Sequence, residues 1–194
     1  AKVRKTLINV IQKKREIGIV IKQDILEKQV EYTYLALGSN LGDKRRNIET
    51  AKSLLIYNNI FIDDTSSYYE TSSWPDKNLP KFYNIILKVK TNLSLVNLFK
   101  IVKNIEKKIG RKKAPRNYPR ICDIDIIDFK GLYLKTKLGN DFIETPHPRM
   151  TSRDFVLFPL YEINKAWIHP KTKMNINSLI NQLGNVDYSD IRIV

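Results

Sequence analysis

The strongest constraint on the fold is the order in which the apolar spacing changes between residues 32 and 128. "YTYLAL" (32–37) has the character of a strand and runs into the turn "GSNLGD" (38–43). A helix follows to about Tyr57, with Ile48, Ala51, Leu54 and Leu55 at intervals of three and four. "IFIDDTSSYYET" (60–71) is predicted as one strand, longer than average, and "SSWPDKNLPK" (72–81) as a loop from its Pro, Ser, Asp and Asn content. "FYNIILKVKT" (82–91) alternates as a strand. Residues 94–109 place Leu95, Leu98, Val102, Ile105 and Ile109 on one helical face, and Gly110 ends that helix in the usual C-terminal position. A basic loop, "RKKAPRNYP" (111–119), leads into the strand "ICDIDIIDF" (121–129). The order is β-α-β-β-α-β, which predicts an α+β protein with a ferredoxin-like core. A C-terminal hairpin around Gly131 and a last helix near Asn175–Leu183 are expected additions, with the apolar stretch "FVLFPLYEI" (155–163) between them. Ahead of the core, residues 3–15 fit an amphipathic helix, and Ile17, Ile19 and Ile21 alternate as in a short strand.

The last core strand carries an anomaly. Asp123 and Asp125 interrupt an apolar run, and residues two apart on a strand share a face. Two like charges so placed repel, and burying either one unpaired is costly. Three readings are open: pairing with Arg116 or Arg120, capping of turns, or joint binding of a divalent cation. If repulsion dominates, neutralising either aspartate would leave the metal-free protein at least as stable. Arg111, Lys112, Lys113, Arg116 and Arg120 lie close by in sequence. Carboxylates suited to Mg²⁺ beside guanidiniums suited to phosphate oxygens form the set that phosphoryl transfer uses. The segment "GSNLGDKRRN" (38–47) offers backbone approach at a helix start, but it lacks both the G-x-G-x-x-G pattern and the Lys-Ser/Thr of a P-loop. Asn84 lies inside an apolar strand, where its carboxamide matches the edge of a heterocyclic base or bonds a neighbouring loop. His147 stands between two prolines, followed by Arg153 and Phe155.

Net charge and cysteine count narrow the class. The formal net charge is +14 and the pI about 9.7, which suits a polyanionic partner or reflects a lysine-rich composition. Cys122 is the single cysteine, so no internal disulfide forms, and with His147 and His169 the only histidines a zinc site is not expected. No apolar run reaches the ~18 residues of a membrane span. The N-terminal residues lack the apolar block of a signal peptide, and the expected compartment is the cytoplasm.

Taken together, "LALGSNLGD", "SSYYET", "FYNIIL", "IEKKIGR", "PRICDIDII" and "PHPRMTSRDFVLFPLYEI" resemble the 6-hydroxymethyl-7,8-dihydropterin pyrophosphokinases of folate biosynthesis, over about residues 32 to 185. The resemblance implies transfer of the β,γ-pyrophosphoryl unit of ATP, the co-substrate, to the pterin hydroxymethyl group, releasing AMP. It implies that Asp123 and Asp125 hold two Mg²⁺ ions and that Arg111, Arg116, Arg120, His147 and Arg153 contact ATP. Arg111 and Arg120 join the two aspartates as catalytic groups. Gly38, Thr71, Phe82, Asn84, Tyr118 and Phe155 would form the pterin pocket. Tyr118 stands in for the loop tryptophan of the family, Tyr118-Pro119-Arg120 replaces its Gly-Pro-Arg, and "SSWPD" replaces its Pro and Gly after Thr71. The loops at 72–81 and 111–119 would close over the substrates. The implied organisation is residues 1–30 as an extension of unknown role and 31–194 as the pyrophosphokinase domain. The implied partners are small molecules, with no nucleic acid and no membrane. The expected assembly is a monomer or weak homo-oligomer, possibly next to another folate-pathway domain. The rivals are an RNA-binding module of the same element order and a non-catalytic homologue. "FYNIILKVKT" lacks the basic-Gly-aromatic pattern of the RNA-binding module's third strand.

Overall fold

The computed structural model describes residues 31–73, 76–111, 118–183 and 191–194. The helix expected at 3–15 and the strand at 17–21 lie outside these residues. Tyr32–Val194 form one compact unit.

A six-stranded antiparallel sheet organises that unit. Its strands are β1 (Thr33–Ser39), β2 (Phe61–Thr65), β3 (Tyr69–Thr71), β4 (Phe82–Lys90), β5 (Asp123–Phe129) and β8 (Ile191–Ile193). The order is β5-β1-β4-β3-β8, and β2 also pairs with β4. Helices α1 (Lys44–Tyr57) and α2 (Leu95–Ile109) connect strands of the core. Asp43 caps α1 by accepting from the Arg46 N–H at 3.0 Å, and Ser94 caps α2 by accepting from Asn97 at 3.3 Å. Gly110 closes α2 at φ 107, in the left-handed region that disfavours a side chain.

Alternation along the strands divides the core in two. One face sends Leu35, Leu37, Ile85, Leu87, Ile124 and Ile126 against α1 and α2, which return Ile48, Ala51, Leu55, Leu98, Val102 and Ile105. The other face sends Tyr34, Ile86 and Ile127 against α3 (Asp154–Ile163) and α4 (Ile176–Asn181), which bring Val156, Leu157, Leu160, Ile176 and Leu179. Each large side chain buried in this way contributes ~1.5–3 kcal/mol. Pro159 is accommodated inside α3, although it supplies no N–H to the helix ladder.

Three sequence expectations are corrected. The long strand at 60–71 is two strands, because one extra residue enters opposite β4 between Ile62 and Asp64 and another between Thr65 and Tyr69. Ser66 occupies the second break. Its N–H donates to the Ile86 carbonyl at 3.0 Å and its Oγ accepts from the Ile86 N–H at 2.9 Å. The hairpin expected around Gly131 is centred later. Gly131 (φ 64) makes a tight turn after β5, but the paired strands are β6 (Leu134–Leu138) and β7 (Asp141–Thr145), joined across Gly139. The last helix is shorter than expected, and Asn175 caps it. Strand β8 was not foreseen, although Ile191 and Ile193 alternate.

Candidate active site

Sheet register brings the singled-out residues together. β1 lies between β4 and β5, and Gly38 is opposite Asn84 on one side and Asp123 on the other. Asn84 is in turn opposite Tyr69, and Phe82 opposite Thr71. Ala36 is opposite Asp125 two residues earlier along β1. Opposite residues share a face, so Asp123, Asp125, Gly38, Asn84, Thr71 and Phe82 project to one side of the sheet. This is also the side on which α3 packs, with Phe155 half-buried at its first turn.

A β-carbon on Gly38 would lie 3.0 Å from Asn84 Oδ1 and 3.6 Å from Phe82 Cδ1. Glycine therefore leaves a small floor between the carboxamide and the aspartates. Asn84 is buried, and its Nδ2 donates to Thr71 Oγ1 at 2.8 Å. That bond orients the amide and leaves the carbonyl oxygen over the Gly38 floor.

Both aspartates are held by cations. Asp123 accepts from Arg111 Nη1 at 2.5 Å and from Arg120 Nη1 at 2.7 Å. Burial raises its carboxyl pKa, but Arg111 and Arg120 outweigh this and hold it below the usual range. Asp125 Oδ2 accepts from Arg153 Nη1 at 3.2 Å and lies 3.8 Å from His147 Nε2. Burial keeps the His147 pKa below its ordinary value, with Arg153 and Arg149 opposing the pull of Asp125. His147 Nδ1 accepts from the Arg149 N–H at 3.1 Å, so in the neutral ring the proton sits on Nε2, on the Asp125 side. The expectation that neutralising an aspartate leaves the metal-free protein at least as stable rested on unopposed repulsion; here guanidiniums already offset it, and removing the Asp123 carboxylate would take a charged acceptor from Arg111 and Arg120.

Sequence reasoning missed several groups around this set. Glu106 is buried on α2; it accepts from the Ile124 N–H at 2.8 Å, between the two aspartates, and shares Arg111 with Asp123. Burial first, and then the charge of Asp123, raise its pKa, against the pull of Lys103 and Arg111. A glutamate four residues after Val102 on an apolar helical face was the available signal. Glu162 on α3 accepts from Ser67 N at 3.0 Å, Ser67 Oγ at 2.7 Å and Tyr69 Oη at 2.9 Å, tying that helix to the break between β2 and β3. Asp128 is buried and accepts from Trp167 Nε1 at 2.8 Å and Gly131 N at 3.0 Å. Asn40 bonds Arg120, Ser73 and Pro80.

The remaining expected residues fall in two groups. Tyr118 is 59% exposed, and its carbonyl accepts from Arg120 Nε at 3.2 Å. Phe155 lies with its ring centre 5.4 Å from the Arg153 guanidinium. Arg116, Lys112 and Lys113 are outside the described residues, as are residues 74–75 and 112–117 of the two loops expected to close. Among the described residues no group of three or more His, Cys, Asp or Glu could hold a metal ion, and no helix is long and apolar enough to cross a membrane.

Comparison with known proteins identifies the family. The family model of 7,8-dihydro-6-hydroxymethylpterin-pyrophosphokinase (HPPK) matches residues 34–165. The 2-amino-4-hydroxy-6-hydroxymethyldihydropteridine pyrophosphokinase of Aquifex aeolicus is 39% identical over 137 residues, covering 71% of this chain and 82% of that protein. The folic acid synthesis protein FOL1 of Dictyostelium discoideum is 44% identical over 152 residues, covering 78% of this chain but 22% of that protein. A crystal structure of Plasmodium falciparum HPPK-DHPS with pterin and p-hydroxybenzoate superposes with a TM-score of 0.67 at 17% identity, over 87% of this chain and 48% of that one. The chain therefore spans less than half the length of the Dictyostelium and Plasmodium proteins and most of the length of the Aquifex protein. With most of its compact unit matched by the family model, the chain belongs to the 7,8-dihydro-6-hydroxymethylpterin-pyrophosphokinase family.

Proposed function

We propose that residues 31–194 form a pyrophosphokinase domain that transfers pyrophosphate from ATP to the hydroxyl of 6-hydroxymethyl-7,8-dihydropterin, releasing AMP, in folate biosynthesis. The observation that carries this is the row Asp123–Gly38–Asn84 across three adjacent strands. It sets a phosphate-handling cluster beside a carboxamide shaped for a heterocycle edge, with a side-chain-free floor between them. Arg111, Arg120, Arg153 and neutral His147 supply donors for phosphate oxygens. Asn84 meets the polar edge of the pterin, and Gly38, Thr71, Phe82 and Phe155 line its faces. Tyr118 adds an aromatic side chain to the pterin subsite, and Arg116 is read as a further donor for ATP.

The donor set fits magnesium. Two carboxylates on one face, with no third acidic or histidine ligand among the described residues, suit a cation that takes one or two carboxylates and completes its shell with water and phosphate oxygens. Asp123 and Asp125 would hold two such ions. Bound Mg²⁺ supplies positive charge where the transferred group becomes more negative. The chain's own part is to keep the Asp123 carboxylate ionised through Arg111 and Arg120, to hold Asp125 in place through Arg153, and to present the same guanidiniums to the nucleotide.

The strand order β5-β1-β4 with β2 and β3 beyond it supports reading the core as ferredoxin-like. Residues 1–30 are read as an extension of the domain or the edge of a neighbouring folate-pathway domain. The proposed setting is a cytoplasmic monomer or weak homo-oligomer. An assay with ATP, Mg²⁺ and the hydroxymethyl-dihydropterin tests the proposal. AMP and the pterin diphosphate are the expected products; ADP as the nucleotide product, or no pterin-dependent turnover, would overturn it.

A further inference from the structure

Asn40 stands just beyond β1, two residues after Gly38, and is 3% exposed. Its polar atoms are distributed over two separate segments. Its N–H donates to the Arg120 carbonyl at 3.2 Å, and its Oδ1 accepts from the Arg120 N–H at 2.7 Å. Its Nδ2 donates to Ser73 Oγ at 3.3 Å and to the Pro80 carbonyl at 3.2 Å. Ser73 Oγ also donates to the Pro80 carbonyl at 2.7 Å. Ser73 follows β3 and Pro80 precedes β4, so this triangle closes the base of the β3–β4 connection. Thr71 and Phe82 lie two residues outside that base. On the other side of Asn40, the Arg120 guanidinium donates to Asp123 at 2.7 Å.

One buried carboxamide therefore joins the backbone that carries Arg120 to the backbone that carries Thr71 and Phe82. The chemistry requires asparagine. An acceptor is needed toward the Arg120 N–H, and donors are needed toward Ser73 and Pro80. Neither an aspartate nor an aliphatic side chain of similar size offers both. A shift of the Arg120 backbone as its guanidinium takes up phosphate oxygens has to pass through Asn40 or break a bond to it. A pair of sites tied to one element is thermodynamically coupled when each ligand prefers the same arrangement of that element.

We propose that Asn40 is a positioning residue that couples the nucleotide subsite to the pterin subsite, so that occupancy of one tightens binding at the other. The inference rests on the functional reading above and deepens it by naming the residue through which the two substrates communicate. A structural staple alone would change stability and leave the coupling intact.

The test is a binding-linkage measurement on the full chain. The Kd of the hydroxymethyl-dihydropterin is measured by calorimetry with and without a saturating non-hydrolysable ATP analogue and Mg²⁺. The ratio of the two values is the coupling. Asn40→Asp keeps an acceptor for Arg120 and removes the donors to Ser73 and Pro80. It is expected to bring the ratio at least fivefold closer to one, while the analogue alone binds within about threefold of wild type. Ser73→Ala keeps the Arg120 arm and is expected to give an intermediate ratio. A wild-type ratio of one, or an Asn40→Asp ratio within twofold of wild type, overturns the proposal. If Asn40→Asp does not fold, Ser73→Ala decides: a ratio within twofold of wild type overturns it. Failure of the wild-type chain to bind either ligand instead refutes the functional reading, and the inference falls with it.

Discussion

Gly38→Ala separates stability from substrate recognition. The new methyl would sit 3.0 Å from Asn84 Oδ1, closer than the ordinary contact range that begins at 3.4 Å, so the carboxamide must yield by a few tenths of an ångström. The amide is anchored by its 2.8 Å bond to Thr71 Oγ1, and moving it lengthens that bond toward the limit of a good hydrogen bond. The loss is about 1 kcal/mol. Gly38 sits within a paired strand at a φ outside the left-handed region, so alanine recovers about 0.5–1 kcal/mol of the entropy that glycine gives up on folding. The two effects nearly cancel, and Tm should move by no more than ~4 °C. Pterin recognition has no such offset. The methyl fills the floor and the displaced carbonyl misses its partner, a loss of about 1–3 kcal/mol, roughly 5- to 150-fold in Kd. Calorimetry with the pterin, and separately with an ATP analogue and Mg²⁺, reads both. A pterin Kd within twofold of wild type would refute the assignment of this floor. So would an equal loss of nucleotide affinity, because the methyl points at Asn84 and Phe82.

Three further outcomes follow from the same geometry. Asp123→Asn should destabilise the metal-free protein by about 1–3 kcal/mol in denaturant unfolding, because Arg111 and Arg120 lose a charged acceptor; a stabilised variant would show that carboxylate repulsion dominates after all. Chelating Mg²⁺ should leave the Tm of the ligand-free protein nearly unchanged and remove the stabilisation that ATP gives, as thermal melts with and without EDTA would reveal. Burial raises the Asp128 pKa from 3.8 to about 6, so the folded state binds that proton more tightly and the contribution is complete below about pH 4 and lost as pH rises through about 6. The stability of wild type relative to Asp128→Asn should therefore fall by roughly 2–3 kcal/mol between pH 4 and pH 7, and a pH-independent difference would contradict this.

The sequence by itself determined whatever is encoded within one element. A period of two put Asp123 and Asp125 on one face, and a spacing of three and four set the inward faces of α1 and α2. Gly110 marked a helix end, because caps act on backbone groups a few residues away, and Asp43 and Ser94 cap the opposite ends over the same short range. Tertiary structure decided what depends on which strands become neighbours and in what register. Insertion of β1 between β4 and β5 made Gly38 the floor between Asn84 and Asp123, and no local pattern contains that pairing. The break at Ser66 answers to Ile86 and the bent course around it to Glu162, both remote in sequence. The aspartates read as a repelling pair because a strand seen alone shows only their common face. Arg111 comes to Asp123 from the end of α2, Arg120 from the loop before β5 and Arg153 from the segment before α3. Three separate segments converge there because burying the apolar faces of the sheet leaves their connections at the same edge.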